Sequence, residues 1–218
     1  MNKMEHMEIK KLVISMSLPI IISMVIQALY NIVDSIFVAK ISSDALTAVS
    51  LCYPVQTIIV AIACGTAVGF NTLLARYLGE KKFDYANNTM MHGILLGFLN
   101  GLVFLVLGFL FSNTFLSWFT RDVQILGLAN TYIRICTMFS FSVFVQIIFE
   151  RIMQATGNAI YNMVMQGAGA IINIILDPIL IFGWFGLPKM GVTGAAIATV
   201  IGQFCAMMIG YRITKKKI

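Results

Sequence analysis

NIILDPILIF, residues 173–182, sets an aspartate and a proline, Asp177 and Pro178, inside a run of apolar side chains. NIVDSIF, residues 31–37, does the same with Asp34. If these runs lie in lipid, each acid costs about 2.5–3.5 kcal/mol at a helix centre on insertion scales. Two such acids need a reason, and the segments that carry them need a solvent.

Composition identifies the solvent. The chain has 218 residues, 59% of them hydrophobic and only 11% charged, with a mean hydropathy of +0.90. Soluble domains carry about 25% charge, so this chain cannot cover a water-facing surface and reads as an all-α integral membrane protein. Its formal charge of +6 is no sign of nucleic acid, because the basic residues sit between apolar runs and at the chain ends. Cys52, Cys64, Cys136 and Cys205 are far apart, lie in apolar segments and form no CxxC, so they read as small buried hydrophobes. Neither His6 nor His92 has a metal-ligand partner, and no cofactor or metal is expected beyond a coupling ion.

A membrane span needs about 20 mostly apolar residues. Six segments qualify, at roughly 12–39, 46–75, 88–111, 124–149, 159–182 and 191–213, within one domain of residues 1–218. Lys3, Lys10 and Lys11 precede the first run, as in a signal peptide, but that run continues past the length of one and shows no obvious cleavage site. It reads as a retained first helix.

Placing the N-terminus inside puts Lys3, Lys10, Lys11, Arg76, Lys81, Lys82, Arg151, Arg212, Lys215, Lys216 and Lys217 on the inner side. Only Lys40, Arg121 and Lys189 fall outside, and Arg134 lies within the fourth segment. That bias predicts both termini in the cytoplasm, and the expected location is the plasma membrane, as a multi-pass protein. Gly93, Gly97 and Gly101 in the third segment, and Gly65 and Gly69 in the second, form small-xxx-small ladders that mark close helix contacts. Pro19, Pro54 and Pro178 are expected sites of kinks.

The polar residues fall into stripes. Ser23, Gln27, Asn31 and Asp34 share one face of the first helix, flanked by Tyr30. Asn162, Gln166, Asn173 and Asp177 share one face of the fifth, with Gly169 and Ala170 filling the gap. Asp34 comes roughly 22 residues, and Asp177 about 18, after its helix enters from inside; at about 1.5 Å per residue both reach the outer half of the membrane. A single Asp near a helix end can simply sit at the interface, and Asn–Asp pairs can hold helices together. Two matched stripes at one depth point instead to a shared pocket. A carboxylate with amide oxygens suits Na⁺, and a desolvated Asp can carry a proton. Gln146 and Glu150 share a face of the fourth helix, Tyr132 lies in its outer half, and Thr199 and Gln203 share a face of the sixth.

The blocks LPIIISMVIQALYNIVDSIFVAKISSDALTAVSL, GTAVGFNTLLARYLGEKK, ERIMQATGN, NIILDPILIFG and MGVTGAAIATVIGQ, in this order, resemble the multidrug and toxic compound extrusion (MATE) family across essentially the whole chain. The resemblance implies a secondary antiporter that exports organic, often cationic compounds in exchange for Na⁺ or H⁺. It implies that Asp34, Asn173 and Asp177 belong to the cation site of the N-terminal lobe, and that Gln27, Tyr30 and Tyr132, with Glu150 and Thr199, line that lobe; the stripes add Asn31 and Gln166 to the expected lining. Pro19 matches a proline associated with bending of the first helix. A full family member has twelve helices in two six-helix lobes, whereas this chain has one. The partner is then a second six-helix lobe or a parallel second copy of this chain, in the lipid bilayer. Two other readings compete: a truncated, non-transporting fragment, and an intramembrane aspartyl protease using both acids. The protease reading lacks the expected GxGD-type motif, since Asp177 stands in LDP and Asp34 in IVD.

Overall fold

The structure, a computed structural model, describes residues 7–217, so Lys3 and His6 lie outside the described residues. It consists of α1 (Ile9–Ala39), α2 (Ser43–Gly79), α3 (Phe83–Ser117), α4 (Val123–Met138), α5 (Ser140–Ala155), α6 (Ile160–Phe182), a 3₁₀ turn (Trp184–Gly186) and α7 (Val192–Lys217). No strand occurs among the described residues. Five of these helices are long and apolar enough to cross a membrane, and the bent pair α4–α5 passes the same test when taken as one span. Their outward side chains are apolar, including Phe109 and Leu110 on α3 and Met24 on α1, an exposure that water would not tolerate.

Local chemistry sets the ends. Ser42 accepts a hydrogen bond from the Ala45 N–H and starts α2. Asp122 accepts from the N–H groups of Gln124 and Ile125 and starts α4. Gly183, at φ 73°, ends α6 in the left-handed conformation that glycine adopts without strain. Between α2 and α3, Glu80 meets Lys82 Nζ and Arg76 Nε, each at 2.8 Å. Lys82 and Arg76 together hold the Glu80 carboxyl down to about 2. α2 and α3 outrun their apolar segments, because a helix continues to its cap while hydropathy marks only the greasy middle.

The fourth span corrects the sequence expectation. Residues 124–149 read as one helix, but the chain breaks at Phe139 and bends by 48°. No proline stands there, and the helices continue through Pro19, Pro54 and Pro178. Hydroxyls hold the break: Thr137 Oγ1 donates to Ile133 O at 2.8 Å, and Ser142 Oγ donates to Phe139 O at 2.8 Å. Ser140 Oγ donates across to Gly101 O on α3 at 3.2 Å. Backbone carbonyls freed inside lipid must find such donors. Gly101 makes room for the bend, since a Cβ there would collide with the backbone of Phe141.

Two apolar clusters close the ends of the bundle. One gathers Phe70, Leu74, Met90, Ile148, Ile152 and Met165. The other gathers Val38, Cys52, Leu116, Ala129, Ile181 and Val192. The polar residues of the stripes fall between them.

Candidate functional site

α6 and α7 meet backbone to backbone. A Cβ on Gly169 would lie 3.0 Å from Gly202 O, and one on Gly202 would lie 2.8 Å from Gly169 O. Only small residues permit that approach. One turn further along each antiparallel helix, it sets Asn173 against Thr199. The glycines of the second segment behave otherwise: a Cβ at Gly65 or Gly69 would meet nothing within 4 Å, so they mark no close contact among the described residues.

A cavity of about 270 Å³ occupies the polar belt. α1 lines it with Gln27, Tyr30, Asn31 and Asp34; α2 adds Tyr53, Gln56 and Thr57. The bent fourth span adds Tyr132, Cys136, Ser140 and Gln146; α6 and α7 add Gln166, Asn173, Thr199 and Gln203. Its open side lies between α1 and α2, where Asn31, Tyr53 and Thr57 are exposed. α1 packs chiefly on α6 and only lightly on α2, which leaves that side without a wall.

The acids converge at one end of the cavity. Asp34 lies within hydrogen-bonding reach of Asp177. Asp177 is 0% exposed, beneath Asn173 and off the cavity wall. The Asn173 amide satisfies both its ends in one orientation: its nitrogen donates to Asp177 Oδ2 at 3.1 Å and its oxygen accepts from the Thr199 backbone N–H at 3.2 Å. Asp34 Oδ1 is shut away from solvent with no donor beside it among the described residues. Two carboxyl groups can hydrogen-bond only with a proton between them, and a buried oxygen without a donor is costly. The pair therefore has room, in charge and in bonding, for one small cation.

Most of the residues singled out in the sequence share this wall; Asp177, Ser23, Pro19, Glu150 and Asn162 do not. Glu150 is buried off the cavity, where its Oε1 accepts from Gln146 Nε2 at 3.0 Å and Gln166 Nε2 at 2.8 Å. It orients two lining amides and is no lining residue itself. Pro19 lies outside the cavity, and its carbonyl accepts from Ser23 Oγ at 2.7 Å. Asn162 is buried with its Oδ1 unpaired.

Five wall residues bearing a polar atom were missed: Tyr53, Gln56, Thr57, Cys136 and Ser140. Gln56 Nε2 reaches Tyr132 Oη at 3.3 Å and Cys136 Sγ at 3.8 Å. Cys136 therefore stands on a polar wall, whereas Cys52 is the buried hydrophobe expected of all four. Ser140 lines the cavity at the bend. A lone amide in a lipid-spanning helix was the available signal for Gln56; Cys136 and Ser140 carried none.

Comparison with known proteins places this geometry. The MatE family profile matches residues 19–179. A FAD transporter of Shewanella oneidensis is 29% identical over 95% of this chain and 46% of its own length. The multidrug export protein MepA of Staphylococcus aureus is 28% identical over 94% of this chain and 45% of its own. A solved structure of a MOP superfamily transporter from Pyrococcus furiosus superposes with a TM-score of 0.89 at 28% identity, covering 99% of this chain and 47% of that one. The chain spans about half the length of the curated relatives it matches.

Proposed function

The chain belongs to the MatE family, and from that premise we propose that it is one lobe of a cation-coupled antiporter. It is a multi-pass membrane protein of a transporter family, which sets aside the protease reading of its two aspartates. The proposed activity is export of an organic compound, of cationic xenobiotic type, from the cell across the plasma membrane. The relatives' named cargoes are FAD, an anion, and multiple drugs, so the sign of the cargo is the finer part of the proposal.

The observation that carries the reading is the meeting of Asp34 and Asp177 beside a cavity open on one side. In the proposed cycle the pair binds the coupling cation with Asn173 as its orienting amide. Cation binding changes how α1 sits on α6, and with it the affinity of the cavity for cargo. Coupling needs only that ion and cargo prefer different conformations. Among cations, H⁺ suits the arrangement better than Na⁺, because the Asn173 oxygen is committed to Thr199 N–H and its nitrogen faces Asp177. The open side takes a second lobe, from another six-helix segment or a parallel second copy.

The experiment is efflux of a fluorescent organic cation from proteoliposomes holding the two-lobe assembly, with pH and Na⁺ gradients imposed separately. A pH gradient is expected to drive efflux, and Asp34→Asn to cut it roughly tenfold to a hundredfold, as the loss of about 1.5–3 kcal/mol from a hydrogen bond to a charged group implies. Efflux driven by Na⁺ alone would replace H⁺ by Na⁺, and efflux indifferent to Asp34→Asn would remove the pair from the coupling.

A further inference from the structure

Arg134 follows the cavity residue Tyr132 by two positions, about 200° around α4. Its side chain therefore leaves the cavity and is exposed on the outside of the bundle. There it stacks on Phe109 of α3, with the guanidinium carbon 5.5 Å from the ring centroid. Arg134 Nε donates to Ser112 Oγ at 3.3 Å, and Ser112 Oγ donates to Asn130 Oδ1 at 2.7 Å. That relay uses the acceptors of the cluster. What remains is donors: the guanidinium N–H groups on both Nη atoms and the Asn130 amide nitrogen, none of them bonded among the described residues. Arg134 has no carboxylate partner among the described ion pairs.

Depth decides what can reach these donors. Trp118 and Trp184, the two tryptophans, stand at the same end of the bundle, at the ends of α3 and α6, where aromatic residues mark the membrane–water interface. Ser112 precedes Trp118 by six residues, so the guanidinium sits about 9 Å inward of that level along α3. A bare cation at this depth in hydrocarbon is costly, and an arginine there reaches back toward the headgroups. Planar guanidinium donors match a phosphodiester two bonds at a time.

We propose that Arg134 and Asn130, held in place by Ser112 on the lipid face of the α3–α4 groove, form a binding site for the phosphate of a membrane lipid. The lipid lies in the leaflet at the Trp118 end and fastens α4 to α3 above the bend at Phe139. This site is independent of the export reading and rests only on the chain's membrane insertion.

The test uses the full chain, delipidated in a phosphate-free detergent, with phosphatidylglycerol, phosphatidylcholine or a diacylglycerol of the same acyl chains added back. Both phospholipids are expected to raise Tm, and the diacylglycerol to leave it unchanged. Arg134→Gln should lose at least half of the phospholipid increment, and Arg121→Gln, in the neighbouring loop, should keep most of it. Equal increments in wild type and Arg134→Gln overturn the site, as does equal stabilisation by diacylglycerol. If Arg134→Gln yields no folded protein, guanidinium-¹³C to lipid-³¹P distance NMR on wild type, with Arg134→Lys for subtraction, decides instead. An Arg134-dependent phosphorus contact supports the site; its absence, including where a partner's carboxylate takes the guanidinium, overturns it.

Discussion

Asp34 and Glu150 are both acids in spanning helices, yet their surroundings differ. Asp34 keeps an unpaired oxygen beside Asp177, while Glu150 receives two amide donors on a single oxygen. A buried oxygen already met by two donors suggests support, and a buried oxygen with none leaves room for a ligand. Glu150→Ala should therefore destabilise the protein by about 1–3 kcal/mol, because it strands the Gln146 and Gln166 amides in the interior. Glu150→Gln keeps an acceptor in place and should stay within about 1 kcal/mol of wild type. Unfolding in mild detergent checks both; an Ala variant as stable as wild type would mean these bonds carry no weight. The sequence marked Asp34, Asn173 and Asp177 through their spacing. It did not distinguish the role of Glu150, because the two glutamines that hold it come from different helices.

Among helices, the decisive contact is the crossing of α6 and α7 at Gly169 and Gly202. A Cβ at Gly202 presses on the Gly169 carbonyl and would also lie 3.3 Å from the Asn173 Cβ. Gly202→Ala should cost about 1–3 kcal/mol through overpacking. Gly65→Ala, in open space, should be neutral or stabilising by up to about 1 kcal/mol, from helix propensity alone. Thermal unfolding of the two variants side by side tests this, and equal behaviour would show that the crossing has slack. Both glycines sit in apolar helices, so hydropathy could not tell them apart. The bend at Phe139 was hidden for a related reason. It depends on hydroxyls at Thr137, Ser140 and Ser142 finding carbonyls, and on Gly101 from another helix yielding space.

For the molecule as a whole, charge asymmetry and the one-sided cavity lead to separate expectations. The inner-side excess of Lys and Arg predicts that a cysteine placed near Lys215 reacts only with membrane-permeant reagents in intact cells, whereas one near Lys189 also reacts with impermeant ones. The reverse labelling pattern would invert the proposed orientation. The exposed α1–α2 edge of the cavity is where the proposed second lobe would close it.

Residue order alone determined the solvent, the six crossings and which face of α1 and of α6 is polar, since hydropathy and helical period are properties of each segment separately. Tertiary structure decided which faces meet. It set Asp34 against Asp177, moved Glu150 off the cavity wall, brought Gln56 and Cys136 onto it and turned Arg134 outward onto Phe109. Those outcomes depend on how closely two backbones can approach, and that is fixed by pairs such as Gly169 and Gly202, which lie far apart in the chain and touch only once it has folded.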